Sequence, residues 1–165
     1  MSKAYIGLGS NLEDPLAQLR RATAALAALP DTTLVAASSV YRSSPVGPDG
    51  QPDYLNAAAR LDTALEPLTL LRALQAIEDA QGRVRGERWG ARTLDLDLLL
   101  YDDLILDSNE LTLPHPRIAE RDFVLYPLAE ISDTRDLLPG AADLDTLIER
   151  CADNGLSRTE WQLGQ

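Results

Sequence analysis

The stretch RTLDLDLLLY (92–101) constrains this chain more than any other, because it sets two carboxylates inside a run of leucines. Successive side chains of a β-strand point to opposite faces, so residues two apart share a face. The two predicted faces are Asp95, Asp97, Leu99 and Tyr101 on one side and Leu94, Leu96, Leu98 and Leu100 on the other. The acidic face becomes apolar after two residues. The carboxylates are therefore predicted to lie at the start of a strand that is otherwise buried on both sides.

Carboxylates in such a position repel each other and lose hydration unless cations neutralise them. One source of positive charge is a structural ion-pair cluster with the nearby arginines, which are Arg83, Arg85, Arg88 and Arg92. The other is a divalent metal, and oxygen ligands with a single histidine in the chain favour Mg²⁺. Arginines beside a carboxylate pair are the combination that phosphoryl transfer requires. The motif D-x-D is weak alone, but it is far more specific when R-x-R-x-x-R-W-G-x-R precedes it.

The composition bounds the class of protein. The chain has 165 residues, of which 45% are hydrophobic, and this predicts one domain over residues 1–165 with a substantial core. A net charge of −11 argues against a nucleic-acid partner. No apolar stretch approaches the roughly 20 residues of a membrane span, so we expect no membrane partner. The lone Cys151 cannot form an internal disulfide, which favours a cytoplasmic location, and we expect a monomer.

The order of predicted elements indicates the fold class. Apolar runs predict strands at 4–8, 32–43, 54–65 and 94–101, and amphipathic patterns predict helices at 14–30 and 67–81. Asp14 and Pro15 mark the start of the first helix. The β-α-β-β-α-β order predicts an α+β fold, a ferredoxin-like sandwich of helices over an antiparallel sheet, with additional C-terminal elements.

Several details of these elements can be checked directly. The second helix is predicted to end at Gly82 and to turn inward Leu68, Leu71, Leu74 and Ile77. A turn at 102–103 is predicted to lead into a return strand, LILD (104–107). The predicted C-terminal elements are one helical turn near 117–120, a helix at about 143–152 and a last short strand.

Two glycine-rich stretches have more than one interpretation. The stretch GLGSNL (7–12) lacks the third glycine of a dinucleotide-binding fingerprint and is better read as a tight turn between strand and helix. The loop SPVGPDGQPD (44–53), followed by Tyr54 and Asn56, is either an ordinary loop or a rigid slot for a planar heterocycle. No phosphate-binding G-x-x-x-x-G-K-[ST] loop occurs in the chain.

Three polar side chains are ambiguous from the residues alone. Gln75 and Glu78 lie one helical turn apart on a polar face of the second helix, for which solvated surface is the favoured interpretation. His115 lies between two prolines, and a lone histidine is more often structural than catalytic. The extended Pro-His-Pro backbone nevertheless predicts a fixed position for its ring.

Taken together, four stretches resemble the 6-hydroxymethyl-7,8-dihydropterin pyrophosphokinase family. They are YIGLGSNL, SSVYRSSPVGPDGQPDYLNAA, GRVRGERWGARTLDLDLLLYDD and LTLPHPRIAERDFVLYPLAEI. The resemblance implies a ferredoxin-like α+β core and transfer of pyrophosphate from ATP to the hydroxymethyl group of the pterin in folate biosynthesis, with release of AMP. The chain departs from the family's commonest pattern at Ser43, Gly50 and Ala91.

The resemblance also implies roles for individual residues. Asp95 and Asp97 would bind two Mg²⁺ ions that bridge the ATP phosphates, and Arg83 and Arg92 would stabilise the transition state. The implied ATP-binding positions are Gln75, Glu78, Arg83, Arg85, Arg88, Arg92, Leu98, Thr112, His115 and Arg121. The implied pterin-binding positions are Ser43, Ser44, Val46, Tyr54, Asn56, Trp89 and Phe123.

Two other functions are compatible with parts of the pattern. Another Mg²⁺-dependent phosphoryl or nucleotidyl transferase would share the aspartates and arginines without needing the Pro/Gly-rich slot. A ferredoxin-like regulatory module that binds a ligand would share the fold, but it would have no reason to bury two acids beside four arginines. No side chain in the motifs is an obvious base for the pterin hydroxyl, although either aspartate could accept its proton.

Overall fold

The computed structural model of the chain describes residues 1–11, 14–43, 53–82, 94–134, 137–152 and 155–163. The strands are β1 (Ser2–Ser10), β2 (Thr32–Ala37), β3 (Ser39–Ser43), β4 (Tyr54–Thr63), β5 (Asp95–Tyr101), β6 (Leu106–Asp107), β7 (Thr112–Leu113) and β8 (Ser157–Gln162). The helices are α1 (Pro15–Ala27), α2 (Pro67–Ala80), α3 (Asp122–Ile131) and α4 (Leu144–Arg150), with a 3₁₀ turn at Ile118–Glu120. The fold is therefore α+β, as the sequence predicts.

One sheet organises the described residues. Its strands run in the order β5-β1-β4-β3-β8, and β2 also pairs with β4. Every strand pair described is antiparallel. β5, which carries the two aspartates, is an edge strand, and β1 lies between it and β4. The site is consequently built across three neighbouring strands.

Helices cover both faces of this sheet. On one face, α1 and α2 bury Leu19, Leu26, Leu70 and Leu74 against the even-numbered side chains of β1, such as Ile6. The other face packs against the 3₁₀ turn, α3 and α4, through a second cluster that comprises Tyr5, Ala58, Leu99, Leu100, Ile118, Leu125, Leu128, Ile131, Leu138, Leu144 and Leu147. No helix among the described residues is long and apolar enough to cross a membrane.

The first helix forms as its sequence predicts. The Asp14 side chain caps the helix by accepting from the Ala17 backbone N–H at 3.4 Å, and Pro15 occupies the first turn, where no amide donor is needed. The second helix stops where expected, since Gly82 adopts φ +86°, a conformation that favours glycine. Its inward face differs from the prediction. Leu68 is 42% exposed and Leu70 is fully buried, so the buried side of the helix follows Leu70, Leu74 and Ile77.

The predicted strand at 32–43 is two strands. Ser38 lies between β2 and β3 and is fully buried. Its backbone N–H donates to the Ala58 carbonyl at 2.9 Å, and its Oγ accepts from the Ala58 N–H at 2.9 Å. The Ser38 hydroxyl thus takes the place of a backbone acceptor, and the chain bends while β2 and β3 both stay paired with β4.

Two C-terminal predictions need correction. The return strand LILD is reduced to β6, which pairs with β7 in a separate two-stranded sheet rather than with β5. Helix α3 was not predicted, because Pro127 in its middle normally argues against a helix. Burial of Leu125, Leu128 and Ile131 on one side holds it against the sheet. The turn at 118–120, helix α4 and strand β8 confirm the remaining predictions.

Glu130 ties α3 to the sheet. Its Oε2 accepts from the Ser39 N–H at 2.9 Å and from the Ser39 hydroxyl at 3.0 Å, and its Oε1 accepts from the Tyr41 hydroxyl at 2.8 Å. Burial, helped by this carboxylate, raises the pKa of the Tyr41 phenol well above its usual value. The hydroxyl therefore stays protonated and remains a donor to Glu130 throughout the ordinary pH range.

Replacing Tyr41 by Phe is expected to lower the free energy of unfolding by about 1–2 kcal/mol, because the Glu130 carboxylate loses a partner in a partly buried place. Urea denaturation measures the change. Tyr126→Phe is the matched control, since Tyr126 lies on α3 but is 40% exposed. Equal stabilities for the two variants would contradict the importance of this contact.

Candidate active site

Two rows of side chains cross the sheet from β5 to β4. Asp95 pairs with Gly9, which in turn pairs with Asn56. In the next row Asp97 pairs with Gly7, which pairs with Ala58. Paired residues of antiparallel strands point to the same face, and neighbouring strands lie about 4.7–4.9 Å apart. The carboxylates and the Asn56 amide therefore share one face, with a strand that has no side chain in either row between them.

Because both are glycines, Gly7 and Gly9 place no side chain of β1 on this face. A Cβ at Gly9 would lie 3.5 Å from Asn56 Oδ1, and one at Gly7 would lie 3.5 Å from the Leu99 side chain. Neither glycine has the positive φ that would demand glycine for backbone reasons. The prediction that 7–12 forms a tight turn is wrong for its first residues, since β1 continues through Ser10. Glycines that alternate with apolar residues in β1 are a sequence signal that could have identified this face.

The Asn56 side chain is hydrogen-bonded to Ser43, on the part of this face farther from β5. Its Nδ2 donates to the Ser43 hydroxyl at 2.8 Å, and both side chains are buried. This bond orients the amide, whose Oδ1 lies nearest the Gly9 position. Tyr54 lies two residues before Asn56 on β4 and pairs with Ser43, so it shares the same face. Three predicted pterin-binding residues are thus brought together with the aspartates.

The aspartates lie where the sequence predicts, at the half-buried start of a strand whose last four residues are buried. The predicted alternation fails beyond them. The pairing register shifts between Tyr5 and Ile6, so that Leu98 pairs with Ile6 but Leu100 pairs with Tyr5. This β-bulge reverses the later residues: Leu100 joins the cluster under α3, and Tyr101 packs on the α1/α2 side. The prediction that Tyr101 shares a face with the aspartates is therefore wrong.

Glu78 is not on a solvated surface, which corrects the interpretation from residues alone. It is 5% exposed, and its Oε2 accepts from the Leu96 backbone N–H at 2.8 Å. Gln75, one turn earlier, is half-buried and accepts from the Arg72 guanidinium at 3.3 Å. The two predicted ATP-binding residues of α2 thus differ in environment, and only Glu78 is hydrogen-bonded to the strand of the aspartates in this way.

His115 lies beside the same strand. Its backbone N–H donates to the Leu99 carbonyl at 2.9 Å, and its Nδ1 accepts from the Arg117 N–H at 3.3 Å. Burial lowers the pKa of the imidazole, and the negative charge of Asp97 partly opposes that effect. With Nδ1 engaged as an acceptor, the neutral ring carries its proton on Nε2. The ring position is fixed by its backbone, as the Pro-His-Pro sequence predicts.

The remaining predicted residues divide into two groups. Arg121 lies with its guanidinium carbon 5.5 Å from the centre of the Phe123 ring, at the start of α3. Leu98 is 3% exposed on β5, and Thr112 pairs with Asp107 in the small sheet. Seven predicted residues lie outside the described ranges, namely Ser44, Val46, Arg83, Arg85, Arg88, Trp89 and Arg92.

The described donors suit Mg²⁺ better than a softer metal. Among the described residues, no group of three or more His, Cys, Asp or Glu side chains could hold a metal ion. Asp95 and Asp97 supply hard carboxylate oxygens on a face where β1 carries no side chain in their rows. Mg²⁺ typically uses one or two carboxylates and completes its octahedron with water and phosphate oxygens. The residues present therefore fit this ion as part of a nucleotide complex.

Two carboxylates and a buried amide on one face of an α+β sheet are compatible with an enzyme that transfers phosphoryl groups to a small acceptor. The sequence matches the 7,8-dihydro-6-hydroxymethylpterin-pyrophosphokinase (HPPK) family over residues 5–133. The chain belongs to this family.

Relatives in two bacteria agree with this assignment. The 2-amino-4-hydroxy-6-hydroxymethyldihydropteridine pyrophosphokinase of Haemophilus influenzae is 49% identical over 154 residues, which cover 93% of this chain and 96% of that protein. The enzyme of the same name from Pseudomonas aeruginosa is 49% identical over 159 residues, which cover 96% and 97%. The match therefore extends over nearly the full length of both relatives.

Solved structures share the fold. The crystal structure of Plasmodium falciparum HPPK-DHPS with pteroate matches with a TM-score of 0.69 at 12% identity. The match covers 90% of this chain and 42% of that longer chain. At this identity the likeness concerns the fold alone, and it supports the antiparallel α+β architecture.

Proposed function

We propose that the pyrophosphate transfer catalysed by this chain takes place on the face formed by β5, β1 and β4, with ATP as the donor. The family reaction is transfer of pyrophosphate to 6-hydroxymethyldihydropterin in folate biosynthesis. One observation carries the assignment of the site: the row Asp95–Gly9–Asn56 sets a carboxylate and a buried amide on one face, across a strand without side chains there.

The pterin would occupy the β4 side of this face. The Asn56 Oδ1 is oriented by Ser43 and can accept from the N–H groups on the pyrimidine edge of a pterin. Tyr54 shares the face and offers an aromatic surface for stacking, with Phe123 as the proposed partner. Ser44, Val46 and Trp89 complete the proposed pterin-binding set.

ATP would occupy the β5 side. Asp95 and Asp97 would hold two Mg²⁺ ions, which when bound would offset the charge of the phosphates. The proposed ATP-binding set is Gln75, Glu78, Arg83, Arg85, Arg88, Arg92, Leu98, Thr112, His115 and Arg121. The neutral His115 offers its Nε2–H as a hydrogen-bond donor, and the arginines offer planar forks that match phosphate oxygens.

The reaction proposed is an in-line displacement. The hydroxymethyl oxygen of the pterin attacks the β-phosphorus of ATP and loses its proton, and the bond from that phosphorus to the α,β-bridging oxygen breaks. AMP leaves, and the β- and γ-phosphates remain on the pterin. Arg83 and Arg92 would stabilise the charge that develops on the transferring group. Gly7 and Gly9 leave the space in which the acceptor can approach the phosphates.

Incubation with ATP, Mg²⁺ and 6-hydroxymethyl-7,8-dihydropterin tests the reaction. AMP is expected to form only when the pterin is present, in amounts equal to the pterin diphosphate. ADP as the product, or AMP released equally without pterin, would refute the proposal. Omission of Mg²⁺ with a chelator present is expected to stop the reaction.

Asn56→Ala is expected to lower kcat/KM for the pterin about tenfold or more, because the acceptor for the ring edge is lost and the Ser43 hydroxyl loses its partner. Steady-state kinetics with each substrate varied in turn measure this. The KM for ATP is the internal control and should change less than about twofold. A larger change in the KM for ATP than in kcat/KM for the pterin would show that Asn56 contacts ATP rather than the pterin.

The architecture is proposed to be ferredoxin-like in topology. The order of β1, α1, the pair β2/β3, β4, α2 and β5 along the chain, and the sheet order β5-β1-β4-β3, support this class. We further propose that residues 1–165 form a single domain that acts as a cytoplasmic monomer.

A further inference from the structure

β5 is an edge strand, so β1 holds only one of its sides. Leu96 pairs with Leu8, and its N–H donates to Glu78 rather than to β1. In an antiparallel ladder, residues alternate between pairs that exchange hydrogen bonds and pairs that do not. Asp95 and Asp97 on either side of Leu96 are therefore the residues whose backbones face β1, while Leu96 faces outward.

The outward side of β5 is held at two points that flank Asp97. Glu78 accepts from the Leu96 N–H at 2.8 Å, and the His115 N–H donates to the Leu99 carbonyl at 2.9 Å. Glu78 is a side chain of α2 and is 5% exposed, so it brings a charged acceptor to a place that water scarcely reaches. A hydrogen bond to a charged acceptor is stronger than one between neutral groups.

We propose that Glu78 is a positioning residue for the aspartate pair. Its carboxylate binds the backbone N–H of Leu96, the residue between Asp95 and Asp97, and this bond fixes the strand in the register that presents both carboxylates to Mg²⁺. This inference rests on the proposed metal-binding function of the two aspartates. It adds a role to the proposed place of Glu78 in the ATP-binding set, because here Glu78 would act through the strand.

The register needs such a fixed point. A slip of one residue in a strand moves every side chain to the opposite face, and here it would turn both carboxylates into the α1/α2 core. β5 already departs from regular pairing by the bulge two to three residues beyond Asp97. Without the bond to Glu78, the outward Leu96 N–H of this edge strand would lose its acceptor next to the bulge, and an alternative pairing would become available.

Three substitutions separate the roles of the acceptor and of its charge. Glu78→Met removes the acceptor at similar volume, and Glu78→Asp keeps the charge but withdraws it by one methylene. Glu78→Gln keeps an acceptor at the same distance without the charge. Asp79→Asn is the matched control, since Asp79 is the exposed neighbour on the same helix and loses the same charge.

Two measurements report on the strand and on the metal. Amide hydrogen exchange at Leu96, followed by NMR in the protein without nucleotide, should be at least about tenfold faster in the Met and Asp variants, and unchanged at Ile6 on β1. The dissociation constant of Mn²⁺, measured with an ATP analogue whose α,β-bridging oxygen is replaced by methylene, should rise about tenfold in the same two variants. The Gln variant, whose acceptor is neutral and so weaker, should lie between the parent and the Met variant in both measurements, whereas Asp79→Asn should stay within about threefold of the parent.

The results that overturn the inference are distinct. Unchanged Leu96 exchange and Mn²⁺ binding in the Met and Asp variants would show that Glu78 does not position the strand. Equal weakening of nucleotide binding in all three Glu78 variants, with Leu96 still protected, would make Glu78 a nucleotide contact instead. Failure of the parent protein to bind Mn²⁺ with the analogue would refute the metal-binding function itself, and this inference with it, before any variant is compared.

Discussion

Asp97→Ala is expected to lower kcat by about 10³-fold or more while the protein stays folded. Asp97 lies in the row of Gly7 and Ala58, on the same face of the sheet as Asp95 and Asn56. Without its carboxylate, one aspartate remains to hold Mg²⁺, and the ion that would offset the charge of the phosphates is bound less tightly. Release of AMP with saturating pterin and ATP, followed over a range of Mg²⁺ concentrations, measures the loss.

Asp103→Ala is the control for this variant. Asp103 is exposed in the turn that follows β5, so its removal changes the net charge equally without touching the site. Circular dichroism and thermal unfolding should show that both variants fold. Near-normal turnover of Asp97→Ala would show that the metal assignment is wrong.

Gly9→Val is expected to lower kcat/KM for the pterin about 100-fold, because the new side chain occupies the sheet face between Asp95 and Asn56. A Cβ at this position already lies 3.5 Å from Asn56 Oδ1, and the two methyl groups of valine extend further into the space. The strand itself tolerates valine, since Gly9 does not adopt a positive φ and β-branched residues favour strands. Gly9→Ala should give a smaller loss in the same direction.

Leu8→Val is the control on the same strand. Leu8 points to the opposite face and packs in the core against α1 and α2. This variant is expected to reduce thermal stability while leaving the KM for the pterin unchanged. A loss of pterin affinity in Leu8→Val as large as in Gly9→Val would mean that the strand, rather than the space above it, determines the effect.

Sequence periodicity was sufficient where a pattern is short and unbroken. The alternation at 94–97 predicts the half-buried aspartates correctly, because two residues suffice to assign a face. It fails at Tyr101, because a bulge adds one residue to the strand and no residue type marks that insertion. The same limitation explains the split at Ser38, where a side-chain hydroxyl substitutes for a backbone acceptor.

Tertiary contacts decided what periodicity could not. Glu78 is polar and lies on a polar helical face, yet it is buried because the edge of β5 offers an outward amide at that point. Helix α3 forms in spite of Pro127 because one side of it completes the second apolar cluster. The hydrogen bond between the side chains of Asn56 and Ser43, 13 residues apart along the chain, forms because β4 lies beside β3. Local sequence holds no information on such partners.

β1 carries no side chain in the rows of Asp95 and Asp97, and this has a consequence for how the specificity of such an enzyme can evolve. Of the groups that would bind the heterocycle, Ser43, Tyr54 and Asn56 belong to β3 and β4, whereas the carboxylates that would serve the phosphates belong to β5. Because only backbone lies between them in the two rows, a substitution on one side has no neighbour through which to disturb the other. The preference for the acceptor, set from β3 and β4, and the binding of the phosphates, set from β5, can therefore evolve independently.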